Sequence, residues 1–119
     1  MKNYKELNVW RQGIELVKIS FALAKSLPST ERFGVVSQLT RAAVSIPANI
    51  AEGSGRNSDK DYARFLQIAL GSAFELQTYF VIIKEMEWLT SNEIEGASQL
   101  LEQEIKMIQS FLKKLKANS

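Results

Sequence analysis

The chain has 119 residues, a formal net charge of +2 and a hydrophobic fraction of 45%, enough for one hydrophobic core and too little for two. It contains no cysteine and no histidine, which excludes disulfides, thiolate nucleophiles and Cys/His metal sites and removes the commonest general base. Two prolines and six glycines are too few turn residues for a sandwich or barrel, so an all-α single domain over residues 1–119 is expected.

The charged start, Met1-Lys2-Asn3-Tyr4-Lys5-Glu6, does not read as a signal peptide. Nowhere do 18 apolar residues run together, so no membrane-spanning helix and a cytoplasmic location are expected.

Four stripes with the 3.5–3.6 period of helices follow. The first is Leu7, Trp10, Ile14, Val17, Phe21 and Ala24, closed by Leu27-Pro28, because the residue before a proline is pushed out of the helical region. The second is Val36, Leu39, Ala43, Ile46 and Ile50, closed by Gly53-Ser54-Gly55, where a left-handed glycine cap is expected. The alternative for Gly53-Ser54-Gly55-Arg56 is a phosphate cradle, but it lacks the lysine and the preceding strand of that motif. Pro47 lies inside the second stripe and strands the carbonyl of Ala43. A helix that continues through a kink is expected, with Ser45 and Asn49 available to the stranded carbonyls.

Ser58 with Asp61 resembles a capping box opening the third stripe: Tyr62, Leu66, Ala69, Ala73, Leu76, Phe80 and Ile83. Thr90 with Glu93 does the same for the fourth: Ile94, Ala97, Leu101, Ile105, Ile108, Leu112 and Leu115, with one extra residue at its middle. Short connections make successive helices antiparallel, so the predicted fold is an up-down-up-down four-helix bundle. Phe65, Ile68, Phe74, Tyr79 and Met86 of the third helix, and Val9, Leu16, Ile19 and Leu23 of the first, lie off the main stripes. A second apolar face of this kind predicts a homo-oligomer.

The run from Gln38 to Arg56, centred on Ser45-Ile46-Pro47-Ala48-Asn49-Ile50-Ala51-Glu52-Gly53, is followed by Phe65-Leu66-Gln67-Ile68-Ala69 and Gly71-Ser72-Ala73-Phe74-Glu75-Leu76. It resembles the bacterial four-helix-bundle proteins encoded in intervening sequences of large-subunit ribosomal RNA genes. Leu7, Val9 and Trp10 fit that family's opening, and Glu31-Arg32-Phe33-Gly34 fits its first loop. The resemblance implies a four-helix bundle, a ring of five subunits, and Arg41, Ser45, Ile46, Pro47, Asn49, Glu52 and Gly53 as a structural motif. A related branch, the accessory variability determinant of diversity-generating retroelements, is strongly basic and works with a reverse transcriptase and RNA. The present chain departs from it in its near-balanced charge and in Thr40, where many relatives carry a basic residue.

Charge is unevenly placed. In an antiparallel bundle, Lys2, Lys5, Arg11, Arg56, Lys60, Arg64, Lys113, Lys114 and Lys116 fall at one end, against Glu6, Glu52, Asp59 and Asp61. Glu31, Glu85, Glu87, Glu93 and Glu95 fall at the other, against Lys25, Arg32 and Lys84. Helix-dipole complementation accounts for the lysines ending the fourth helix, but not for Arg11, Lys60 or Arg64 near helix starts. Lys5, Arg11, Arg56, Lys60, Arg64, Lys113, Lys114 and Lys116 are therefore the expected RNA or nucleoprotein contacts. The alternative is a protein-interaction scaffold that binds no nucleic acid. No catalytic residue, metal, cofactor or small-molecule substrate is expected: a carboxylate pair such as Asp59/Asp61 at a helix start reads as a solvated cap.

Overall fold

The computed structural model describes residues 3–118; Lys2, one of the predicted basic-end residues, lies outside them. Four helices follow in order: α1 (Asn8–Ala24), α2 (Val35–Ser54), α3 (Asp59–Glu85) and α4 (Ser91–Asn118). Each packs against its neighbour in sequence, and α1 closes the ring against α4. A helix of 28 residues spans about 42 Å, which matches the 45 Å long axis of the molecule, and the short axes of 23 and 20 Å are those of a four-helix bundle. The expected all-α, up-down-up-down architecture is observed.

Local sequence sets the boundaries. A 3₁₀ turn, Tyr4–Glu6, precedes α1 and is capped by Asn3, whose Oδ1 accepts from the Lys5 N–H at 3.0 Å. Tyr4 then meets Trp10 edge to face, with ring centroids 5.4 Å apart. Ser58 caps α3, its Oγ accepting from the Asp61 N–H at 3.1 Å. The Thr90–Glu93 box is complete: Glu93 N–H donates to Thr90 Oγ1 (3.2 Å) and Thr90 N–H to Glu93 Oε1 (2.8 Å). These bonds hold the Glu93 carboxyl below its ordinary range.

The core follows the second, third and fourth predicted stripes: Leu39, Ala43, Ile46 and Ile50 of α2, Leu66 through Ile83 of α3, and Ile94 through Leu115 of α4 are buried. At its edges, Val36 and Tyr62 are half-buried.

The first stripe is corrected. The face of α1 that enters the core is Val9, Gly13, Leu16 and Ser20, whereas Trp10, Ile14 and Val17 are half-buried and Phe21 is exposed. Counting large apolar residues picks the wrong face here because two of the four core positions are glycine and serine. Val9 and Leu16 consequently belong to the core and not to a surplus face.

Two expectations about α2 change as well. The helix runs unbroken through Pro47, as expected, but Asn49 serves the Ser45 carbonyl (2.8 Å) and Ser45 Oγ (2.9 Å), not the carbonyl that Pro47 strands. Ser45 Oγ instead joins Ser72 Oγ of α3 at 2.8 Å. The left-handed glycine cap is absent: Gly55 has φ −88°, and no described glycine has positive φ.

Gly53 is a buried position inside α2. A Cβ there would stand 2.7 Å from Tyr62 Cδ1 and 2.9 Å from Phe65 Cβ, so glycine is required for α2 and α3 to approach. The described residue with positive φ is Glu87 (57°), which ends α3. Trp88 N–H reaches back to the Ile83 carbonyl and Glu87 N–H to that of Lys84, each at 3.1 Å, in the six-to-one and five-to-two pattern of a Schellman cap.

Candidate functional site

The antiparallel order brings the start of α1, the end of α2, the start of α3 and the end of α4 to one end of the bundle. Packing fixes the junction there. Tyr62 of α3 meets Phe111 of α4 edge to face at 5.1 Å, and Gly53 lets α2 close on Tyr62 and Phe65. Lys5, Arg11, Arg56, Lys60, Arg64, Lys113, Lys114 and Lys116 are all exposed at this end.

Their surroundings differ. Arg56 Nη2 pairs with Glu52 Oε2 at 2.6 Å one turn before it, and its guanidinium lies 4.5 Å from the centroid of the Phe65 ring. Arg64 pairs with Asp61 at 3.3 Å and lies 4.7 Å from the same ring. Phe65 thus orders two guanidiniums through cation–π contact, while each keeps N–H groups that its single carboxylate bond does not use. Arg11 Nε donates to the Lys5 carbonyl at 2.9 Å, tying the leading 3₁₀ turn to α1. The acids Glu85, Glu87, Glu93 and Glu95 are exposed at the opposite end, where Glu31 is half-buried.

The Ser45–Glu52 motif has a structural place. Ile46, Pro47 and Gly53 are buried, Ser45 and Asn49 form the hydrogen-bonded step toward α3, and Glu52 holds Arg56. Arg41 is exposed and lines two shallow depressions. One, of about 400 Å³, is formed with Phe21, Thr40, Val44 and Ser45. The other, of about 250 Å³, includes Gln38, Ser45, Ser72 and Glu75. Among the described residues, no group of three or more acidic side chains could hold a metal ion.

The flanks carry exposed apolar side chains, Phe21, Val44, Ile68, Phe74, Val81 and Met86, while Ile19, Leu23 and Tyr79 are half-buried against the core. By length and composition α3 is apolar enough to cross a membrane, a property the unbroken-run criterion missed, yet in the bundle only 33% of its most apolar 18-residue window is buried. Phe33, in the loop between α1 and α2, is 87% exposed beneath the Arg32 guanidinium.

Glu104 escaped the sequence reading altogether. It occupies the extra position in the α4 stripe and is wholly buried, with neither carboxylate oxygen hydrogen-bonded. The irregular 4–4 spacing of Leu101 and Ile105 on from Ala97 was its signal in the sequence.

These features define an all-α bundle with a basic end, an acidic end and apolar flanks. Residues 5–110 match the family described as 23S rRNA-intervening sequence protein, and the chain belongs to that family. It is also similar, at 26% identity and a TM-score of 0.82, to a crystal structure from Bacteroides thetaiotaomicron VPI-5482 described as a protein with unknown function from the S23 ribosomal protein family. The similarity covers 88% of this chain and 98% of that one. No curated protein matches the chain.

Proposed function

We propose that this protein is a non-enzymatic, cytoplasmic, homo-oligomeric accessory protein, a pentamer as its family resemblance implies, that binds RNA or a nucleoprotein through the basic end of the bundle. The observation that carries this reading is the exposure of eight Lys and Arg side chains at one end, with Arg56 and Arg64 ordered over Phe65. Contacts from such side chains would go to phosphates and not to base edges, so binding would be sequence-tolerant and steeply salt-dependent. Repetition of the basic end around a ring would multiply a weak single-subunit contact. The exposed apolar side chains of the flanks, Ile68, Phe74 and Val81 of α3 among them, support self-association.

The test is a salt titration of binding to labelled single- and double-stranded RNA and DNA. Binding that weakens log-linearly with salt, and that is lost when Lys60, Lys113 and Lys114 are changed together to Gln, is the expected result. Unchanged affinity in that variant refutes the reading. Sedimentation at micromolar concentration tests the ring, since a mass near 13.4 kDa would exclude it. A second reading, a scaffold that docks a protein partner without nucleic acid, is favoured by Phe21 and Val44 beside Arg41. It predicts a complex that survives both nuclease and high salt.

A further inference from the structure

Glu104 of α4 sits where three helices meet. A Cβ built on Gly13 of α1 would lie 3.2 Å from Glu104 Oε2 and 3.3 Å from Pro47 Cβ of α2. The bare backbone of Gly13 therefore lets α1 close over the carboxyl, while α2 presents a proline ring, which has no N–H to donate. The side chain is 0% exposed, and no donor reaches either oxygen.

Among the described residues, none forms an ion pair with Glu104. On α1, Arg11, Glu15 and Lys18 are exposed, the last two paired with each other at 3.3 Å. On α2, Arg41 and Glu52 are exposed, and Glu52 is taken by Arg56. On α3, Arg64 and Glu75 are exposed, and the half-buried Tyr62 is turned to Phe111. On α4 itself, Glu102 and Lys106 are exposed. A carboxylate sealed without a donor or a cation is disfavoured against the neutral acid.

We propose that Glu104, Gly13 and Pro47 form a proton-operated latch: the neutral acid lets α1 close onto α4, and loss of the proton drives α1 outward so that water can reach the carboxylate. Helix α1 is the element that gives way. At 17 residues it is the shortest of the four, and next to Gly13 it is held to α4 by a long hydrogen bond from Gln12 Nε2 to the Leu100 carbonyl (3.3 Å).

Burial pushes the carboxyl from its ordinary 4.5 up to about 8. Between those values the folded chain holds a proton that the unfolded chain has released. Stability therefore falls as pH rises across this window and levels off above it.

The experiment compares the full chain with E104Q from pH 5 to pH 9.5, by thermal unfolding and by amide hydrogen exchange corrected for intrinsic rates. The wild type is expected to lose about tenfold in its folded-to-unfolded ratio per pH unit up to about pH 8, as one bound proton requires. Its α3 amides should lose protection only in step with that global fall, while its α1 amides should lose more than the global fall accounts for. E104Q should show neither effect. Parallel pH profiles for the two proteins would overturn the latch. If E104Q fails to fold, infrared spectroscopy of the wild type decides: a protonated-acid carbonyl band at pH 7 that vanishes by pH 9.5 is expected, and its absence at pH 7 overturns the proposal.

Discussion

Gly53→Ala is expected to destabilise the bundle even though alanine is the better helix former. The substitution sits in the last turn of α2, where Gly→Ala on its own gains at most about 1 kcal/mol. Against this, the new methyl would lie 2.7 Å from Tyr62 Cδ1 and 2.9 Å from Phe65 Cβ. Phe65 Cβ is fixed to the α3 backbone, so rotating a side chain cannot clear it, and α2 must move away from α3. Overpacking of this kind costs about 1–3 kcal/mol, and with two obstructing atoms the upper half of that range applies. The net loss is then about 1–2 kcal/mol, or a fall in Tm of roughly 4–10 °C for a domain of this size. Gly71 of α3 and Gly96 of α4 supply the control, because nothing lies within 4 Å of a Cβ at either position. Gly71→Ala and Gly96→Ala should each gain about 0.5–1 kcal/mol. Urea unfolding of the three variants, with equal m-values as the check on two-state behaviour, measures the separation. A Gly53→Ala protein as stable as Gly71→Ala would refute the close-approach argument.

Two further substitutions probe the helix ends. Glu87→Gly should raise stability by about 0.5–1 kcal/mol in thermal unfolding, since glycine occupies the left-handed end of α3 (φ 57°) without the steric cost that a side chain carries. Thr90→Ala removes the acceptor for the Glu93 N–H and should cost about 1 kcal/mol. The Thr90 bonds lower the Glu93 carboxyl, so Glu93 stabilises the fold above its unfolded-state pKa and loses that contribution as pH falls through its depressed folded value. Glu93→Gln should therefore flatten the acid side of the stability profile, the side opposite to the one Glu104 controls.

How much of this was legible in the sequence depended on which property each residue contributes. Leu39 to Ile50, Leu66 to Ile83 and Ile94 to Leu115 announce their core faces by size and period, and the structure places them there. On α1 the same criterion fails at Gly13 and Ser20, whose value lies in the space they leave for another helix. Gly53 was misread for the same reason: a glycine near a helix end suggests a cap, and only the position of Tyr62 and Phe65 shows that it serves a crossing. Glu104 was missed because a charge in sequence reads as surface, even where the spacing of its stripe is irregular. Its burial is decided jointly by Gly13 of α1 and Pro47 of α2, which are distant from it along the chain.

The basic end was readable from charge placement and topology, but its residues are unequal probes of function. Arg56 and Arg64 are held over Phe65, and Phe65 in turn flanks the Gly53 crossing. Arg11 ties down the turn that leads into α1. Changing any of these three perturbs packing as well as charge, so a loss of RNA binding would have two explanations. Lys60, Lys113 and Lys114 project from exposed helix faces and take part in none of these contacts, so their neutralisation removes positive charge and leaves the core untouched. Surface substitutions of this kind usually change stability by less than about 0.5 kcal/mol. A binding defect in the triple lysine variant at unchanged Tm is thus assignable to phosphate recognition, whereas the same defect in an Arg56 or Arg64 variant is not.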